Sequence, residues 1–146
     1  MKIQEQDIYH GAALTQIVKH DSFKALNRGS QTYGHYLVNT NIHVLAKYRK
    51  NKKSPWTFQI NTNDISFFCN TRKATERIFL CLICGQFTIC ALTQDEIEKL
   101  IDVTNPDASQ SISVTIPKGG SCHVSGSKGK LGSAVPLNSF PDKIFS

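Results

Sequence analysis

The most constraining feature of this sequence is the apolar segment IFLCLICGQFTICAL, which runs from Ile78 to Leu92 and is interrupted only at Gly85-Gln86. Each half has the length of a β-strand, and a two-residue turn with glycine first is typical of a β-hairpin. In that register Cys81 faces Cys90. Because both faces of this hairpin are apolar, both must be covered, and we expect it to lie centrally in a sheet.

Three other segments have the periodicity of helices. Apolar residues recur at spacings of three and four over residues 5–19, which predicts a helix there. A second helix is predicted in residues 61–74, capped by Thr62 or Asn63. The third begins at a capping box formed by Thr93 and Glu96. Each helix has one apolar stripe, so we expect all three to pack on the sheet.

The remaining strands are predicted from alternation and turn residues. Residues 33–49 form a hairpin with its turn at residues 39–41, and residues 55–60 alternate so that Trp56, Phe58 and Ile60 share a face. Strands at residues 111–117 and 122–124 complete the set. We therefore predict a single α+β domain over residues 1–146, with a mixed, mostly antiparallel sheet and helices packed on it, in the order α-β-β-β-α-β-β-α-β.

Composition excludes several classes of protein. The chain has 146 residues, of which 40% are hydrophobic and 19% charged, as expected for one soluble globular domain. Since no apolar run reaches the ~18 residues of a membrane span, we expect no membrane partner. The first ten residues lack the apolar core of a secretory signal. The five cysteines are an odd number and three lie in apolar sequence, which favours free thiols in a reducing, cytoplasmic compartment.

The net charge of +6 is concentrated in one place. Residues 47–53 carry five positive charges and no negative one. Such a cluster binds phosphates, and Trp56 or Tyr48 can stack on a base. The alternative is a solvated turn, because lysines also protect sheet edges, and the alternation around Trp56 favours a core position. The candidate nucleic-acid-binding residues are Lys47, Tyr48, Arg49, Lys50, Lys52, Lys53, Lys128 and Lys130.

The order helix, three strands, helix, strand in residues 5–90 resembles the core of the restriction-endonuclease-like, or PD-(D/E)xK, family. Its members hold a divalent metal with one acid near a strand and an acid-x-Lys on the next. Here Leu45-Ala46-Lys47 stands at the second position, with leucine in place of the acid, and the preceding strand offers Asn39. The resemblance implies a degenerate metal site, since a magnesium ion needs carboxylates. We expect no hydrolysis of DNA or RNA with magnesium or manganese.

Other chemistries find less support. Cys81 and Cys84 lie three apart in a strand and face opposite sides, which argues against a zinc site, and we predict no metal or cofactor. In the tightest hairpin register Val38 faces His43, so His35 and His43 need not meet. The Gly/Ser/Lys-rich residues 118–132 lack the spacing of a phosphate loop.

We therefore expect a non-enzymatic binding module for nucleic acid, a nucleic-acid complex or another polyanion, with no catalytic residues. Two alternatives stay open. One is a metal-dependent phosphodiesterase with an unrecognised site. The other is a protein-interaction subunit whose basic loop contacts an acidic partner. The AKYR, PWTFQI and HVSGSKGKL segments resemble small bacterial proteins, and that resemblance implies no function. Nothing in the sequence indicates an oligomeric state.

Overall fold

The computed structural model describes residues 1–30, 34–71 and 77–146. Within these ranges the chain forms four helices and eight strands in mixed order. They are α1 (Glu5–Val18), β1 (Leu26–Arg28), β2 (His35–Val38), β3 (Ile42–Arg49), β4 (Trp56–Ile60), α2 (Thr62–Thr71), β5 (Arg77–Cys84), β6 (Thr88–Thr93), α3 (Gln94–Leu100), β7 (Gln110–Thr115), β8 (His123–Gly126) and α4 (Asp142–Phe145). Residue 33, the first of the hairpin predicted over residues 33–49, and residues 72–74 of the predicted second helix lie outside the described ranges.

The strands form two sheets. A five-stranded sheet has the order β1-β2-β3-β5-β6, and a three-stranded sheet has the order β4-β7-β8. Among the described strands, only β3 and β5 pair in parallel, so the predicted α+β fold with mixed, mostly antiparallel pairing is confirmed. The prediction of one sheet is wrong. Because β2 and β5 occupy both edges of β3, β4 has no edge there and pairs with β7 instead.

Two apolar cores lie on opposite faces of the five-stranded sheet. One fills the space between this sheet and the three-stranded sheet with α2 and α3, and it includes Leu80, Phe58 and Leu100. The other lies under α1 and α4 and includes Phe79 and Ile17. Both faces of the β5–β6 hairpin are therefore buried, as its apolar sequence predicts. The hairpin is not central, however, since β6 is the edge strand.

The register of this hairpin differs from the prediction. Cys84 pairs with Thr88, so the turn has three residues, 85–87, and not two. One added turn residue shifts every pair by one position, and Cys81 faces Ala91 while Cys90 faces Leu82. The side chain of Cys90 consequently joins the core between the sheets, whereas Cys81 joins the core under α1.

The β2–β3 hairpin is also closed by three residues. Val38 pairs with Ile42 across residues 39–41, and Asn39 and Thr40 both have positive φ. His43 therefore faces Leu37, and His35 becomes its diagonal neighbour on the same face. The expectation that His35 and His43 need not meet is wrong, because their ring nitrogens are 2.9 Å apart.

The predicted helix starts are correct where the signal is local. Thr93 and Glu96 form the expected capping box at α3. At α2 the cap is Asn61 and not Thr62 or Asn63, since the Asn61 side chain accepts the Asp64 N–H and the Asp64 carboxylate accepts the Asn61 N–H. The short elements β1 and α4 are not predicted from the sequence. Within the described part of the chain, no helix combines the length and apolar character required to span a membrane.

Candidate functional site

The structure separates the charges of the basic run, residues 47–53, between different environments. Lys47, Tyr48 and Arg49 belong to β3, so the loop to β4 consists of residues 50–55 only. Lys47 and Arg49 line a polar pocket on one side of the sheet, whereas Lys52 and Lys53 line a separate, mostly apolar cleft. The seven residues therefore do not form one continuous contact surface.

Lys47 is engaged in a partly buried ion pair. Its Nζ lies 2.6 Å from Asp64 Oδ2, and the two side chains are 20% and 5% exposed. Amide groups surround the pair, and the polar pocket has a cavity volume of about 530 Å³. The residues that line this pocket with Lys47, Arg49 and Asp64 include Gln6, Gln59, Asn61 and Asn63. Because Asp64 already neutralises Lys47, this lysine is a poor phosphate contact. Asp64 is not among the residues predicted from the sequence, where the Asn61-x-x-Asp64 pattern indicates a helix start but not a partner for Lys47.

Glu5 on α1 holds two other residues of the run. Tyr48 donates its hydroxyl hydrogen to Glu5 Oε1 at 3.0 Å, and its ring stacks on Tyr9 with centroids 4.6 Å apart. Lys50 Nζ lies 3.4 Å from Glu5 Oε2, with both side chains largely exposed. Tyr48 thus joins α1 to the sheet, and one face of its ring is covered. An exposed pair such as Lys50–Glu5 restrains the lysine weakly.

Asn51 organises the loop that carries the remaining lysines. Its side-chain amide donates to the backbone carbonyls of Lys53 and Pro55. The backbone carbonyl of Asn51 accepts the Trp56 indole N–H at 2.7 Å. The loop also lies close to Gly85, where a Cβ would be 2.6 Å from Asn51 O and φ is +58°. Glycine is needed at this position for both reasons. The loop backbone is therefore tied down while its lysines stay exposed.

These lysines border a cleft that we call the basic cleft. It has a cavity volume of about 720 Å³ and lies between the 50–55 loop, the β5–β6 turn, the β7–β8 connection and the C-terminal segment. Aromatic and aliphatic side chains form much of its wall, and three lysines belong to the same lining. It is lined by Lys52, Lys53, Ser54, Trp56, Phe87, Ile116, Pro117, Lys118, Gly119, Gly120 and Leu137.

The charge of the basic cleft is of one sign. Lys118, the first of the Gly/Ser/Lys-rich residues 118–132, follows β7 and joins Lys52 and Lys53 here because β7 pairs with β4. Among the described residues that line the cleft, none is acidic. Three lysines along one apolar cleft create a positive potential that attracts anions.

The other two lysines predicted for the site lie elsewhere. Lys128 follows the end of β8 that is remote from Lys118, and its Nζ donates to Glu98 O at 3.0 Å. Its backbone N–H donates to Leu100 O at the end of α3, so this N–H is not available to a phosphate. Lys130 is exposed on the same turn. The structure therefore does not bring Lys128 and Lys130 together with the basic cleft.

Two aromatic rings in the cleft have different roles. Trp56 is 2% exposed and belongs to the core between the sheets, as its alternation with Phe58 and Ile60 predicts. Phe87 is 56% exposed at the tip of the β5–β6 turn, with its ring stacked at 6.1 Å from that of Trp56. Phe87 is not among the site residues predicted from the sequence. The available signal was an aromatic residue at a hairpin turn.

Four of the five cysteines lie in the two cores. All five are free thiols, and only Cys69 is exposed. Burial raises the pKa of Cys81 and of Cys84 to about 12, and a hydrogen bond with Cys122 together with burial raises that of Cys90. Thiols with raised pKa are poor nucleophiles at neutral pH. In the part of the chain that the structure describes, no three His, Cys, Asp or Glu side chains form a group that would hold a metal ion.

His35 and His43 form a second polar cluster, away from the basic cleft. His35 Nδ1 is hydrogen-bonded to Ser30 Oγ at 2.8 Å, and Phe67 packs edge-on against its ring at 4.4 Å. Burial, assisted by the nearby His43, lowers the pKa of His35 to about 4. His35 is thus a neutral, hydrogen-bonded imidazole at physiological pH.

Comparison with known proteins adds no family to this description. The chain matches no protein-family model, no curated protein and no solved structure.

Proposed function

We propose that this protein is a non-enzymatic module that binds nucleic acid, with the basic cleft as its contact surface. The observation that carries the proposal is the convergence of Lys52, Lys53 and Lys118 on a cleft with an exposed aromatic ring and no acidic residue among its described lining. Phosphates match the ammonium groups, and bases match the apolar wall.

The contrast with the polar pocket supports this choice of surface. Lys47 in that pocket is neutralised by Asp64, and Lys50 has an exposed partner in Glu5. The free energy that the cleft lysines gain from phosphates comes mainly from release of counterions, so binding depends strongly on salt and weakly on sequence.

The test is a comparison of two triple variants that remove the same charge. One variant carries Lys52→Gln, Lys53→Gln and Lys118→Gln in the basic cleft. The matched control carries Lys19→Gln, Lys24→Gln and Lys130→Gln, three exposed lysines outside the cleft. Affinity for random single- and double-stranded DNA is measured at several salt concentrations by fluorescence anisotropy.

We expect the cleft variant to bind more weakly and to flatten the slope of log affinity against log salt by about two to three, close to one for each phosphate that the protein no longer neutralises. The control variant should change the slope by less than about one. Equal salt slopes for the two variants would refute the assignment of the basic cleft as the nucleic-acid contact surface. Wild-type protein that binds poly-glutamate as tightly as DNA would indicate an acidic protein partner instead.

We also infer a reducing, cytoplasmic location. All five cysteines are free, and four are buried in the two cores. Buried free thiols are typical of proteins that fold where disulfides do not form. Residence in an oxidising compartment would be indicated by any disulfide in protein isolated under thiol-trapping conditions.

A further inference from the structure

We propose that the basic cleft selects single-stranded over double-stranded nucleic acid by stacking an unpaired base on Phe87. This inference rests on the proposed function and names the ligand class of the same site. The inference is tested at Phe87 and the proposed function at the cleft lysines, so the two proposals can fail separately.

Phe87 is placed as a stacking platform. It ends the β5–β6 turn, where its N–H donates to Cys84 O at 3.0 Å and the N–H of Gly85, at the start of the same turn, donates to Arg49 O at 2.7 Å. Its ring is more than half exposed, yet its inner side packs against Trp56. The indole of Trp56 is in turn held by its hydrogen bond to Asn51 O. The ring is therefore supported before any ligand arrives, which lowers the entropic cost of binding.

The surroundings of the ring favour a nucleotide as occupant. A volume of about 720 Å³ lies within the usual range of small-ligand pockets, roughly 300–1,000 Å³. Leu137 and Pro117 extend the apolar wall, and Lys52, Lys53 and Lys118 in the same lining supply cations for phosphates. This pairing of an aromatic platform with a positive groove is the usual means of binding single strands without sequence preference.

The concave shape favours a single strand over a duplex. A base within a duplex is stacked on its neighbours, so it reaches a ring inside a cleft only when unpaired. Trp56 and Ile116 are set back in the wall of the cleft, whereas Phe87, Pro117 and Leu137 are exposed, so the vesicle experiment below separates a lipid surface from a single strand. The observations thus favour a flexible strand that enters the cleft.

The experiment compares Phe87→Ala, Phe87→Tyr and the control Val18→Ala, which truncates an exposed apolar residue on α1. The probes are a thymidine oligonucleotide, an abasic oligomer of equal length and a blunt duplex. Fluorescence of Trp56, the single tryptophan, reports base stacking in the cleft. Phe87 is exposed, so we expect all three variants to fold.

We expect Phe87→Ala to weaken binding of the thymidine oligonucleotide about 5- to 150-fold without changing its salt slope, because no charge is removed. Binding of the abasic oligomer and of the duplex should change less than about twofold. Phe87→Tyr should retain wild-type affinity, and the oligonucleotide should quench Trp56 whereas the abasic oligomer should not.

Two outcomes would overturn the inference. If Phe87→Ala leaves the oligonucleotide affinity unchanged, or weakens all three probes equally, single-strand stacking is refuted while the lysine variants still decide the proposed function. If the protein binds anionic phospholipid vesicles and none of the nucleic-acid probes, both proposals fail together, and a membrane surface is the occupant.

Discussion

Lys47 Nζ on β3 lies 2.6 Å from Asp64 Oδ2 in the first turn of α2, and Asp64 Oδ2 also accepts the N–H of Asn61 at 3.0 Å. This ion pair couples the five-stranded sheet to the helix that follows β4. Because Asp64 is almost fully buried and Lys47 is mostly so, removing one partner leaves the other charge poorly solvated.

We expect Lys47→Met to lower the free energy of unfolding by about 3 kcal/mol, since it leaves the buried Asp64 carboxylate without a cationic partner. Asp64→Asn should cost about 1–2 kcal/mol, because Lys47 keeps some access to water. Urea unfolding measures both. Lys50→Gln, which removes the exposed pair with Glu5, is the matched control and should change stability by less than about 1 kcal/mol. A cost for Lys47→Met no larger than that of Lys50→Gln would contradict this assignment.

Truncation should separate the two rings of the basic cleft. We expect Trp56→Ala to destabilise the fold by about 3–5 kcal/mol, since Trp56 fills the core between the sheets. Phe87→Ala removes an exposed ring and should cost about 0.5 kcal/mol or less. Thermal or urea unfolding of the two variants checks the difference. Similar costs for both would mean that the burial of Trp56 is described wrongly.

The reactivity of the thiols should follow burial. We expect an aromatic disulfide reagent to modify one cysteine, Cys69, rapidly in the native protein and all five after denaturation without reductant. Cys69→Ser should abolish the rapid native reaction. A denatured count of three would reveal a disulfide and exclude the reducing compartment.

Acid should destabilise the fold through His35. Its pKa in the folded protein is lowered to about 4 from 6.5, so between these values the unfolded chain binds more protons than the native one. The contribution of neutral His35 to the free energy of unfolding is therefore fully present above about pH 6.5 and is lost as the pH falls toward 4. Burial also lowers the pKa of His10, which acts in the same direction.

Urea unfolding from about pH 4 to 7 measures this slope, and NMR of the imidazole nitrogens assigns it to a residue. We expect the His35 ring to titrate near pH 4. A His35 that titrates near its usual value of about 6.5 would contradict the buried geometry of the His35–His43 pair.

What the sequence determined is local. The alternation of Trp56, Phe58 and Ile60 identified a strand with one buried face, because side chains in a strand alternate with a period of two residues. The capping box of Thr93 and Glu96 identified the start of α3, since its hydrogen bonds join residues three apart. The apolar segment from Ile78 to Leu92 likewise required a hairpin buried on both faces, which the two cores confirm.

The strand registers and the contacts of the charged residues were decided only by the tertiary structure, because they depend on pairings between distant segments. In each of the two hairpins the turn has three residues and not the two of the tightest register, and a shift of one position changes which residues of the two strands face each other. Cys81 therefore does not face Cys90, and His35 lies beside His43. The sequence placed five positive charges in residues 47–53 but carried no information on their partners.

The partners of those charges come from separate elements. Asp64 on α2 neutralises Lys47, Glu5 on α1 contacts Lys50, and the β4–β7 pairing brings Lys118 to Lys52. Electrostatic contacts require groups within a few ångströms of each other, and only the packing of sheets and helices sets those distances. The basic cleft is for that reason a product of the tertiary structure, assembled from four segments of which the sequence identified one.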